Sequence, residues 1–137
     1  MTTFIPLLGV LLVIPSLGLA QVGPDWHELN PTATERVAVD RTSLRQVGSV
    51  RRASLRWHLL GTAGRIASYT IEDTEVDCAR QQGRIHARRR VALTPEGVRA
   101  ETTAEVPASQ SEWHTYGPGS VGRAVWTRMC EIPMPGA

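Results

Sequence analysis

Cys78 and Cys130 are the only thiols in a chain of 137 residues, and any fold in which they meet must close a loop running through much of the C-terminal half. No CxxC pair and no Cys/His spacing accompanies them, so neither a zinc site nor a redox dithiol is indicated. The compartment decides between a bridge and two free thiols, because disulfides persist in exported proteins and are rare in the reducing cytosol.

The first twenty residues bear on that choice. They contain no charged side chain, and the apolar run from Phe4 to Leu19 ends in Gly18-Leu19-Ala20, with small residues at the −3 and −1 positions of a cut before Gln21. This is the pattern of a secretory signal peptide. Pro6, Pro15 and Gly18 interrupt a stretch already shorter than the roughly 20 residues that cross a bilayer, so we expect cleavage and no stable membrane insertion afterwards. Residues 21–137 then read as a single domain with its core over about 26–132, and Cys78–Cys130 as its disulfide. Closing a loop of about 50 residues stabilises a fold by about 4 kcal/mol in the chain-entropy treatment.

The middle of the chain alternates with period two. Glu35–Asp40 (ERVAVD) is a short β-branched run that exits through Asp40-Arg41-Thr42-Ser43. In Val50–Leu60, Ala53, Leu55, Trp57 and Leu59 fall on one face, and Ser54, Arg56 and His58 on the other. Gly61–Gly64 breaks the pattern, after which Ile66–Val76 places Ala67, Tyr69 and Ile71 on one side of a strand running into Asp77-Cys78. Beyond Gly83, Ile85, Ala87, Val91 and Leu93 share parity with Arg89 as the exception, and Thr94-Pro95-Glu96-Gly97 is a turn into Val98–Val106. This succession predicts an antiparallel meander. The last segment changes period: Val121, Ala124, Val125 and Met129 lie on one face at helical spacing, with Trp126 and Cys130 beside them. Ser120 suits the N-cap and Pro133 the stop. A helix of about eleven residues is marginal alone and needs the sheet behind it.

A net charge of +2 is too small for a polyanion-coating protein, and two Cys are too few for a disulfide-dense miniprotein. No GxSxG, HExxH or phosphate-cradling glycine loop is present, so we expect no enzyme and no cofactor. The acid-rich stretch Glu72-Asp73-Thr74-Glu75-Val76-Asp77 could offer paired carboxylates or calcium oxygens, but a solvated strand end beside basic neighbours is the simpler account. Trp26-His27, Trp57-His58 and Trp113-His114 set imidazoles beside indoles. On strands a buried Trp exposes the His that follows it, so these read as indole in the core and imidazole in water rather than as metal or haem ligands.

With the elements placed, the sequence resembles the surface-adhesin protein E family of bacterial exported domains. The match is carried by Trp26, by Val39-Asp40-Arg41-Thr42-Ser43-Leu44 leading to Val47-Gly48 and Leu55-Arg56-Trp57, and by Glu75-Val76-Asp77-Cys78-Ala79. Trp113, Pro118-Gly119-Ser120-Val121-Gly122, Val125-Trp126 and Cys130 complete it. The resemblance implies an α+β fold: an antiparallel sheet of about six strands with a C-terminal helix packed on one face and stapled by one disulfide. It also implies partners among host matrix and serum proteins such as laminin, vitronectin and plasminogen. The family's binding segments do not map onto this chain residue by residue.

The most basic stretch, Arg84-Ile85-His86-Ala87-Arg88-Arg89-Arg90, offers a candidate anionic-ligand surface. On a regular strand Arg84, His86, Arg88 and Arg90 would line one face over about 20 Å, and arginine forks suit sulfate, phosphate or carboxylate groups. A sulfated glycan, lipid A phosphates or an acidic protein segment would fit; the simpler alternative is pairing with Glu72, Glu101 or Glu105 on neighbouring strands. Nucleic acid is not expected, since that strand carries no aromatic stacking platform. We therefore expect an exported binding module, periplasmic or at the cell surface, as a monomer or weak homodimer. The other reading is a soluble periplasmic accessory domain without a separable ligand.

Overall fold

The computed structural model of the chain describes residues 23–29, 35–60, 66–94, 96 and 99–136. The leader at 1–20, the breaker Gly61–Gly64 and most of the turn after Thr94 lie outside the described residues. Seven strands form one antiparallel sheet: β1 (Trp26–Glu28), β2 (Glu35–Asp40), β3 (Arg45–Val47), β4 (Val50–Leu60), β5 (Ile66–Asp77), β6 (Gln82–Leu93) and β7 (Arg99–Ala104). Their order is β1-β2-β4-β5-β6-β7, with β3 folded back on the start of β4 as a hairpin. A single turn, α1 (Ala108–Ser111), follows β7, and α2 (Val121–Glu131) closes the domain.

Burial follows the alternation at Ala53 and Leu55 of β4, whereas β2 is buried on both faces from Val37 to Asp40. Val37, Val39, Ala53 and Leu55 turn to one face, where Val125, Trp126 and Met129 of α2 cover them, and all seven are buried. The helix begins at Ser120, whose Oγ accepts a hydrogen bond from the Arg123 N–H. At its other end Arg51 of β4 donates to the carbonyls of Met129 (2.9 Å) and Ile132 (2.6 Å), groups a helix terminus leaves without partners. The Cys78–Cys130 disulfide joins the end of β5 to the last turn of α2, with the Cα atoms 5.7 Å apart. Gly83 of β6 lies flat under Trp126: a Cβ there would stand 2.7 Å from the indole.

One expectation about strand faces is corrected. On β6 a bulge places His86 as an extra residue, since Ile85 pairs with Thr74 and Ala87 with Asp73. An added residue flips everything beyond it. Ile85 therefore faces α2, whereas Ala87, Arg89 and Val91 face away, so Ile85 is the exception to the parity and Arg89 is not. On β5 the apolar Tyr69 and Ile71 face away from the helix, and Glu72, Thr74 and Val76 occupy the buried helix side. The tryptophans divide similarly. Trp126 is core and Trp57 packs against it, but Trp26 lies on the helix-free face and Trp113 is 39% exposed.

Candidate functional site

The sheet face opposite α2 holds a cavity lined by residues of several strands. Antiparallel register aligns Arg56 of β4, Ile71 of β5 and Arg89 of β6 in one row, with Tyr69 and Val91 paired in the next. At the sheet edge Trp26 pairs with Asp40. The turn predicted at Asp40–Ser43 anchors this corner. Asp40 Oδ1 accepts from the backbone N–H groups of Asp25 and Thr42 at 3.0 Å each and from the Thr42 hydroxyl at 2.7 Å.

Between these walls is a cavity of about 390 Å3, whose polar lining includes Thr42, Ser54, Arg56, Arg89 and Arg99. The Arg56 guanidinium sits 4.4 Å from the centre of the Trp26 ring and 5.9 Å from that of Tyr69. Arg99 approaches Tyr69 at 5.7 Å. Such cation–π contacts hold a guanidinium by its face and leave its N–H edge free for an acceptor. Arg89 and Arg99 share Glu101, at 2.7 and 3.2 Å. Arg56 has no carboxylate partner among the described residues, and its Nε is buried without a hydrogen bond. Burial holds its pKa below the ordinary arginine value, against the fields of Tyr69 and Glu28. His58, on the same face, stands 5.4 Å from Tyr69, and burial followed by the Arg56 charge lowers its pKa.

The four residues of the basic stretch are not brought into one row. The bulge sends Arg84 and His86 to the helix-free side, where both meet Glu75 (2.6 and 2.9 Å), while Arg88 and Arg90 turn to the other side. Burial alone would raise the Glu75 pKa, but the hydrogen bonds from Arg84 and His86 outweigh it and hold the carboxyl below its ordinary value. Arg88 is committed to Glu72 (2.8 Å) and to Gln110 of α1 (2.7 Å). Glu72 is pushed up by burial despite that partner. Arg90 is exposed. Most of this stretch is thus spent on neighbouring strands: Arg88 on Glu72 and Arg89 on Glu101, as expected, and Arg84 and His86 on Glu75, which was not foreseen. Asp73 and Asp77 are likewise engaged, with Arg52 and with Ser49.

The Trp-His pairs do not converge. His27 is exposed on β1, His58 faces Tyr69, and His114 packs against both Tyr116 and Trp126. At Trp113-His114 the expected order is reversed: the indole is at the surface, 4.6 Å from Arg84, and His114 Nε2 is buried. Among the described residues no group of three or more His, Cys, Asp or Glu is placed to hold a metal. No helix among them is long and apolar enough to cross a membrane.

Sequence reasoning placed Arg56 on a wet face but missed the site around it. The one local sign was Arg89, a charge at a position whose neighbours two residues away are apolar. No curated protein and no solved structure matches the chain. The family model for surface-adhesin protein E does match, over residues 26–131, from the first residue of β1 to the last of α2; the chain belongs to the surface-adhesin protein E family.

Proposed function

We propose that the chain is an exported bacterial envelope protein that acts as a non-catalytic binding module. Its partners are host matrix or serum proteins or anionic glycans, and the helix-free face of the sheet is the surface that meets them. Arg56 carries this reading. It is a guanidinium stacked on Trp26 in an open cavity, with a buried nitrogen that lacks an acceptor and, among the described residues, no carboxylate to neutralise it. A carboxylate or sulfate in the cavity would supply the opposite charge, accepting from the guanidinium N–H groups that face it.

A second reading, a periplasmic accessory domain without a separable ligand, draws support from the basic stretch. There Arg84, His86 and Arg88 are already satisfied by Glu75 and Glu72. Protease shaving of intact cells, combined with a panel of immobilised matrix and serum proteins, separates the two. Surface cleavage together with binding that Arg56→Ala weakens supports the module. A protein protected from protease and silent on the panel overturns it.

A further inference from the structure

The cavity around Arg56 does not end at Arg89. A second cavity of about 410 Å3 on the same face is lined by Arg45, Arg52 and Asp73 and shares Ser54 and Arg89 with the first. The two form one groove across β4, β5 and β6 that carries Arg45, Arg52, Arg56, Arg89 and Arg99 against the carboxylates of Asp40, Asp73 and Glu101. Each carboxylate is already engaged: Asp40 with the turn, Asp73 with Arg52, and Glu101 with Arg89 and Arg99. Among the described residues Arg45 donates to the carbonyls of Thr42 and Leu44, through Nη1. Each cavity therefore contains one arginine with no carboxylate partner among the described residues, Arg45 in one and Arg56 in the other. Along the strands the Arg52 row and the Arg99 row lie roughly 25 Å apart.

On the binding-module reading above, we infer that this groove holds an extended sulfated glycan, with one sulfate at Arg56 and another at Arg45. Cations repeated along a groove match an anion repeated along a chain, and two linked contacts bind far more tightly than either alone. The occupant is a glycan rather than an acidic peptide for two reasons. The groove floor is built from the inner strands β4, β5 and β6, whose backbone groups are consumed by their neighbours, so a peptide finds no strand edge to extend. The walls offer the Thr42 and Ser54 hydroxyls and the Trp26 and Tyr69 rings, which suit a chain that presents hydroxyls and C–H faces together.

The test is fluorescence anisotropy of a labelled heparin hexasaccharide with the disulfide-bonded protein at low salt. We expect saturable binding that weakens at higher ionic strength and is lost with the N- and O-desulfated hexasaccharide. Arg45→Ala and Arg56→Lys should each weaken it about tenfold, the effect of losing one charge-assisted contact. Arg128→Ala, on the exposed side of α2, should leave it unchanged. Arg56→Lys keeps the charge over Trp26 and Arg45 is exposed, so circular dichroism should show both variants folded. Equal binding of the desulfated sugar, or no effect of either substitution, overturns the proposal, as does displacement by polyglutamate at matched charge. If the hexasaccharide fails but Arg56→Lys weakens capture of a matrix protein, the glycan is wrong and the binding face stands. If neither ligand responds, both readings fall.

Discussion

Replacing both bridged cysteines with alanine should cost about 4 kcal/mol, and the structure explains why the loss is global. The bond spans a sequence separation of 52, for which the chain-entropy treatment gives about 4 kcal/mol of constraint on the unfolded chain. In the folded state α2 has other attachments: Val125, Trp126 and Met129 are buried against the sheet, and Arg51 holds the carbonyls of Met129 and Ile132. The helix should therefore stay docked in Cys78→Ala/Cys130→Ala, and the penalty should appear as a freer unfolded state. Guanidinium denaturation followed by tryptophan fluorescence and by far-ultraviolet circular dichroism reads this directly. The two probes should move together to lower denaturant, with a larger slope because the unfolded chain is more expanded. The melting temperature should fall by roughly 15–20 °C. A loss below about 1 kcal/mol would refute the reasoning, as would helix signal disappearing before sheet signal, since the bridge would then be holding only α2.

Three further outcomes test the packing and the charges. Gly83→Ala puts a methyl 2.7 Å from the Trp126 indole, which is buried and cannot yield, so thermal unfolding should show about 1–3 kcal/mol of destabilisation with the oxidised disulfide intact. Arg88→Met leaves the buried Glu72 carboxylate unpaired and should cost about 3 kcal/mol at neutral pH; Glu72→Gln/Arg88→Met should recover most of it, and a double variant no better than the single would contradict the ion-pair account. Glu75, held below its ordinary value of 4.5, contributes stability that is present above that value and lost as pH falls through its lower folded value. Denaturation across pH 7 to 3 should show wild type and Glu75→Gln separated at neutral pH and converging in acid; a gap constant with pH would exclude the linkage.

The parts of the fold that were legible in the sequence are those whose signal is local. Val121–Glu131 carries its own period, its own Ser120 cap and a stop, and it forms as read. The disulfide followed from two lone cysteines and an export-like leader. The faces of Ala53 and Leu55 followed from alternation. Strands β1 and β3 have three residues each, too few for a period to show, and they were missed. The bulge at His86 was invisible for another reason. Both parities of Gln82–Leu93 mix arginine with aliphatic residues, so no position marks where one residue is added, yet that residue splits Arg84 and His86 from Arg88 and Arg90. On β5 the rule that apolar residues face the core fails because the sheet buries side chains on both faces. Val91 and Ile71 are covered on the helix-free side, while Glu72 is buried on the helix side because Arg88 reaches it. The same logic hid the candidate site. Contiguous charge is conspicuous in a sequence, but neighbouring antiparallel strands meet it with acids of their own, as Glu72 and Glu75 do here. The arginines available to a ligand come singly from separate strands: Arg45 from β3, and Arg56 from β4, stacked on Trp26 thirty positions earlier. Only the register of the sheet brings such residues together, and register is a property of pairing that no single strand records.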